Sequence, residues 1–167
     1  MSIVVETPRL ILREIDLASD DLLLYLGWLR DIENNRFIES TRFDYKIEEL
    51  RDFVSSSNLD PEVLLFGIFL KEGKNFIGTL KIQPINHLEK YVWLGIMIGS
   101  PEFRGHGYGR ESLETIVNFL FYSLQMNDVF LGVNLENLAA ISLYESVGFD
   151  KFKVEKNKMV MKKSKFT

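Results

Sequence analysis

The sequence predicts a single-domain α/β fold, a mixed sheet with helices on its faces. Three observations carry this. Strand-like and helix-like segments interleave over all 167 residues, in the order strand, two helices, three strands, helix, strand, helix, two strands. The segment "YVWLGIMI" is almost continuously apolar, the pattern of a central strand covered on both faces. No repeat, low-complexity tract or linker divides the chain, whose length suits one domain spanning 1–167.

Each element has its own signal. "RLILRE" alternates apolar and polar residues and reads as a strand over Arg9–Glu14. "DLASDDLLLYLGWLRD" follows, with leucines at helical spacing and Asp16, Ser19 and Asp20 as N-cap candidates. "KIEELRDFVSSS" places Ile47, Leu50, Phe53 and Val54 on one helical face. Val63–Leu70 and Phe76–Ile82 form a hairpin around Glu72-Gly73-Lys74. After "YVWLGIMI" and a glycine-rich loop, a helix of roughly 15 residues starts at Arg110, with Leu113, Ile116, Val117, Leu120 and Phe121 facing inward. "DVFLGVNLE" is another buried strand. "NLAAISLYESVGF" is a short helix closed by Gly148 as a left-handed C-cap. "FDKFKV" and "KMVMKK" end the chain as a hairpin.

Composition narrows the function classes. Apolar residues make up 46% and charged residues 26% of the chain, as in a soluble globular protein. No apolar run approaches a membrane span, and the N-terminus lacks the pattern of a secretory signal, so the expected compartment is the cytoplasm. The absence of cysteine excludes disulfides, thiolate metal sites and a cysteine nucleophile. With His87 and His106 as the two histidines, no metal site is expected. A net charge of −4 argues against broad nucleic-acid binding. The charge is uneven, because residues 151–167 carry seven lysines and one glutamate. That tail reads as a solvated hairpin, with a docking surface for an anionic partner as the alternative.

Gly105, Gly107 and Gly109 alternate with other residues directly ahead of the long helix. One glycine would make a tight turn. Three suggest that a ligand lies against bare backbone, where the helix's first amides are unpaired and its dipole favours an anion. Arg104 adds a positive charge. A P-loop would end in Gly-Lys-Ser/Thr, whereas this loop ends in Gly-Arg-Glu. A dinucleotide fingerprint needs glycine three residues after Gly107, where Arg110 stands. Local chemistry therefore points to an anion site and leaves the ligand open.

Arg104-Gly105-His106-Gly107-Tyr108-Gly109 resembles the R/Q-x-x-G-x-G/A signature of the GNAT acyltransferase superfamily. "ETPRLILRE", "FIGTLKI" and "WLGIMIG" are similar to strands of its RimJ/RimL-like branch. "NLENLAAISLYESVGF" is similar to its second motif block. The resemblance implies a mostly antiparallel twisted sheet of six to seven strands and four helices, splayed at its central strands. It implies acetyl-CoA as co-substrate, with the pyrophosphate held by the loop from Arg104 through Gly105, His106, Gly107, Tyr108 and Gly109 to Arg110. It implies that the strand to Ile98 pairs with the pantetheine arm, that the amide of Ile96 or Met97 polarises the thioester, and that Tyr144 is the general acid. Asn137 is either the N-cap of its helix or a contact to pantetheine, or both.

The family's usual glutamate, two residues before Gly95, is Trp93 here. Either another group acts as base or the acceptor amine is already partly neutral. A lysine side chain (pKa about 10.4) is mostly charged at pH 7, whereas an α-amine (about 7.7–8.0) is not. The substitution therefore disfavours lysine acceptors. Acceptor specificity is expected from Trp28 to Phe43 and from the loop "PINHLEK", with Trp28, Glu39, Arg42 and His87 as candidates, and "WLRDIENNRFIESTRF" resembles a subgroup associated with amino-sugar chemistry. The implied activity is N-acetylation of a small-molecule amine such as an amino sugar or nucleotide-linked amino sugar. A protein N-terminal acetyltransferase and a non-catalytic CoA-binding module are the alternatives, and analogy suggests a homodimer.

Overall fold

The computed structural model describes residues 2–37 and 43–167. Strands β1 (Val4–Glu6) and β2 (Leu10–Glu14) lead into helices α1 (Leu22–Arg30), α2 (Ile32–Asn35) and α3 (Ile47–Leu59). Strands β3 (Leu64–Leu70), β4 (Phe76–Asn86) and β5 (Tyr91–Ile98) follow, then a 3₁₀ turn at Pro101–Phe103 and helix α4 (Tyr108–Tyr122). The chain ends with β6 (Asp128–Asn134), α5 (Leu138–Ser146), β7 (Asp150–Glu155) and β8 (Lys158–Ser164). One eight-stranded sheet results, in the order β1-β2-β3-β4-β5-β6-β8-β7. All neighbours are antiparallel except β5 and β6.

Three features differ from the sequence expectation. Strand β1 and the one-turn helix α2 are additional, and both are too short to carry a readable period. The N-cap of α1 is Asp21, whose carboxylate accepts from the Leu24 amide at 2.9 Å. Asp20 instead receives Arg13 in a two-pronged ion pair at 2.7 and 2.9 Å. Strand β5 is covered on one face only. Val92 and Leu94 pack beneath α4 with Leu113, Ile116, Val117 and Leu120. On the other face Tyr91 and Trp93 are half-buried and Gly95 is exposed.

That second face is covered over β3 and β4, where α1 and α3 bury Leu22, Tyr25, Leu26, Trp28, Leu50 and Val54 against Leu65, Phe69 and Phe76. Trp28 is the keystone. Its indole lies 4.9 Å, centroid to centroid, from the Phe76 ring. Its Nε1–H donates to Ser100 Oγ at 3.0 Å. Gly99 lies under the ring so closely that a Cβ there would overlap it. The indole thus pins the end of β5 to α1. Trp28→Ala should empty this space and lower stability by about 3–5 kcal/mol, measured by urea unfolding.

Candidate active site

Strands β5 and β6 pair only at Tyr91–Asp128, Val92–Val129 and Trp93–Phe130. Beyond that point they diverge. Trp93 stacks on Phe130 at the last pair, 5.5 Å between centroids. Opposite Trp93, β4 carries a bulge, since Ile82 pairs with Leu94 and Ile85 with Val92. The expected splay therefore coincides with a bulge, which lies on the neighbouring strand β4.

Backbone groups alternate along a strand, and here the direction is fixed. The Gly99 amide donates to Ile77 of β4 at 2.9 Å. The Met97 carbonyl points the same way, since a Cβ on Gly78 would overlap its oxygen. Met97 therefore belongs to the β4 ladder, whereas Ile96 and Ile98 turn their peptide groups toward the splayed edge. Of the two amides expected to meet a thioester, that of Ile96 faces the opening.

A cavity of about 1220 Å³ fills the divergence. Gly95–Ile98 form one wall and Gly132–Asn134 the other. At one end lie Arg104, Gly105, Gly107, Tyr108, Gly109 and Arg110. Gly105 and Gly107 adopt φ of 74° and 82°, the left-handed region that side chains resist. Helix α4 begins at Tyr108, two residues before the expected Arg110, so Gly109 belongs to its first turn. Gly107 is the N-cap, and no side chain caps the helix. Its first amides have no side-chain acceptor among the described residues, and the helix dipole makes this end electropositive.

Two sets of contacts outside the loop hold it in place, and neither was legible in the sequence. Glu111 turns away from the cavity. Its Oε1 accepts from Thr7 Oγ1 at 2.5 Å and from the Arg9 amide at 2.9 Å, and its Oε2 pairs with Arg9 Nε at 2.7 Å. Arg9 also donates to the His106 carbonyl at 3.0 Å and lies over the Tyr108 ring. Partial burial pushes the Glu111 carboxyl up, but the hydrogen bonds from Thr7 and Arg9 and the Arg9 charge outweigh it, and the group sits below its ordinary value. On the other side, Arg104 donates to the Ile98 carbonyl at 3.0 Å, to the Gly99 carbonyl at 3.1 Å, and to the Asn34 side-chain oxygen. Asn34 Nδ2 in turn donates to the Gly99 carbonyl at 3.1 Å. The Arg104 guanidinium is thus engaged with the end of β5.

Tyr144 and Asn137 reach the same cavity from α5. Asn137 is the helix N-cap, its Oδ1 accepting from the Ala140 amide at 3.2 Å. Tyr144 is 8% exposed and packs edge-on against Phe149. Burial pushes its phenol above the ordinary value, so it holds its proton throughout the neutral range. Among the described residues no hydrogen bond engages its hydroxyl.

The remaining sequence candidates fall elsewhere. Trp28 is 4% exposed and supports the cavity from behind, within the α1–α3 core. His106 turns its Nε2 to the Glu102 carbonyl at 3.0 Å and does not line the cavity. His87 is exposed in the β4–β5 turn, at the opposite end of β5 from the glycine loop. Glu39 and Arg42 lie outside the described residues. Glu33, Asn34, Arg36 and Phe37, within the segment expected to set acceptor specificity, line the cavity, and so does the β7–β8 turn from Glu155 to Lys158, which the sequence did not mark for the site.

Residues 9–150 match the family described as the acetyltransferase (GNAT) domain. The chain is 29% identical over 127 residues to the spermidine N(1)-acetyltransferase of Vibrio cholerae, covering 74% of this chain and 72% of that protein. Its fold superposes on a GNAT-family acetyltransferase from Bacillus anthracis with a TM-score of 0.83 at 14% identity, covering 97% and 98% of the two chains. It superposes on the spermidine N-acetyltransferase of Vibrio cholerae in complex with CoA and spermine with a TM-score of 0.78 at 22% identity, covering 92% of each.

The Glu111 tether carries a pH signature. A carboxyl held low in the folded state contributes its full stability above the ordinary carboxyl value and loses it as pH falls through the folded value. Arg9 is 46% exposed and solvent screens the pair, so Glu111→Gln should cost about 1 kcal/mol at pH 7. The difference between wild type and variant, read from melting temperature against pH, should shrink below pH 4.5, the ordinary value of the group.

Proposed function

The chain belongs to the GNAT acetyltransferase family, and on that premise we propose that it moves an acetyl group from acetyl-CoA to the primary amine of a small molecule such as an amino sugar or nucleotide-linked amino sugar. The observation that carries this reading is the single cavity that joins an uncapped helix N-terminus, an unpaired strand edge and a buried tyrosine. A pyrophosphate-bearing thioester fits that set. The amides of Gly107 to Arg110 would hold the phosphates, and the edge at Ile96 and Ile98 would pair with the amide-rich arm. The acceptor of the Vibrio cholerae relative, spermidine, is itself a small-molecule amine, which supports an acceptor of that size.

Acetyl-CoA supplies the activated acyl group. The protein's own part is positional and electrostatic. The Ile96 N–H, fixed by the β4–β5 ladder, serves as a pre-aimed donor to the acyl oxygen. The Tyr144 Oη holds a proton for the departing sulfur. A phenol above its ordinary value of about 10 is a weaker acid than a thiol of about 8.5, so this transfer is uphill on its own and would be drawn forward by departure of the thiol, with the proton shed by the amine as the amide forms restoring the phenol. Trp93, stacked on Phe130, stands where the family resemblance implies a glutamate, so no base is supplied at that position. Acceptors whose own amine is partly neutral at pH 7 are favoured.

An acceptor screen with acetyl-CoA, scored by free thiol, tests the reading. Release with amino sugars supports it. Release with peptide N-termini alone would favour a protein substrate, and tight CoA binding without release would leave a binding module. Tyr144→Phe should lower kcat by about 10²-fold or more with little change in acetyl-CoA affinity. Unchanged turnover would remove Tyr144 from the role. The acidic limb of log kcat/KM against pH, where the rate rises as the amine loses its proton, should follow the acceptor's own amine pKa, moving when a less basic acceptor is used. A limb fixed between pH ~6 and ~7 for all acceptors would reveal an enzyme base.

A further inference from the structure

We propose that the acceptor is an amine that also carries an anionic group, a phosphate or carboxylate, held by Lys156 and Lys158 at the end of the cavity formed by the β7–β8 turn. This rests on the acetyltransferase reading and narrows its substrate class. Five cations line the cavity, Arg36, Arg104, Arg110, Lys156 and Lys158, against two carboxylates, Glu33 and Glu155, among the described residues. The chain as a whole carries −4. The carboxylates are already engaged. Glu155 pairs with Lys153 at 2.7 Å and Glu33 with Arg36 at 3.5 Å. Among the described residues no carboxylate pairs with Lys156 or Lys158.

The two lysines are placed by the backbone. The β7–β8 turn is latched to the end of β6 by the Leu135 amide, which donates to the Asn157 carbonyl at 2.8 Å. Lys156 takes the left-handed turn position at φ 56°. Lys158 lies along bare Gly132 in the wall of the splay, where a Cβ would come within 2.6 Å of its Cε and 3.3 Å of its Nζ. Cross-strand pairing puts Lys158 with Asn134 and Val160 with Gly132. That face is opposite to the one on which Leu131, Val133 and Met161 pack with α4 and α5. Lys158 therefore faces the side away from the helix that carries Tyr144. At the other end of the cavity Arg110 pairs with Glu114 at 2.9 Å, and the glycine loop has its own amides for phosphates. The hairpin end of the cavity keeps Lys156 and Lys158 for the acceptor. A polyamine would meet net repulsion there, and an anionic amine would be attracted.

The test is calorimetry on the CoA-saturated protein with glucosamine, glucosamine 6-phosphate, the corresponding aminouronate and spermidine. The phosphate or the carboxylate form should bind about tenfold more tightly than glucosamine, and the preferred one identifies the anion. The gap should narrow with added salt. It should close in the double variant Lys156→Gln/Lys158→Gln, with CoA affinity unchanged. Equal affinity for neutral and anionic forms, preference for spermidine, or a gap that survives in the double variant would overturn the proposal. Thiol release from acetyl-CoA with the same compounds is read separately. Selective binding without release counts against the transfer reading and leaves the anion site standing.

Discussion

The parting of β5 from β6 after Trp93 is the constraint on which the site depends. A sheet normally pairs every interior edge, because an unpaired peptide group away from water costs free energy. Here two neighbouring strands share three register positions and then separate, leaving the Ile96 amide and carbonyl and the Ile98 amide facing an opening. The stacked Trp93 and Phe130 rings mark where pairing stops, and the β4 bulge lies directly opposite. An edge left open inside a folded sheet is a binding surface for an extended, amide-bearing ligand.

An open edge needs support that pairing would otherwise provide. It comes from both sides of the sheet. Trp28, Asn34 and Arg104 fasten the end of β5 through Gly99 and Ser100. Thr7, Arg9 and Glu111 fasten the far end of the glycine loop and the first turn of α4. The loop thus runs between two clamps built from the N-terminal third and from α4. This explains how glycines with left-handed backbones present ordered amides rather than a loose turn. It also assigns Glu111 a structural part, with its carboxylate directed away from the phosphates the loop would receive.

Much of this was legible in the sequence, and the reasons for the rest are physical. The strands β2 to β8 and helices α1, α3, α4 and α5 carry periodic apolar patterns long enough to read, and Asn137 and Gly148 are caps whose chemistry is local. Strand β1 and helix α2 contain three and four residues, below the length at which a period can be recognised. Arg9, Asn34 and Lys158 act across large sequence separations, and nothing in their immediate neighbours marks them. Trp28 stands out in the sequence as an aromatic in a charged stretch, yet its ring is taken up by Phe76 and Gly99. Strand β5 looked buried on both faces because aromatic residues that stack on a half-covered sheet are as apolar as those in a core.

The same uneven coverage shapes the electrostatics. Helices α1 and α3 pack over β3 and β4, whereas the far side of the sheet ends in the lysine-bearing β7–β8 hairpin. In a chain whose acidic residues outnumber its basic ones, cations gather where the sheet is split. Bulk net charge therefore says little about what the cavity attracts, because field strength is set by the nearest uncompensated groups and the low-dielectric walls around them. Gly132 is the link between backbone and charge. Without a side chain it leaves room for the Lys158 arm to lie in the wall of the splay, so the divergence that exposes peptide groups on β5 also admits a cation on β6.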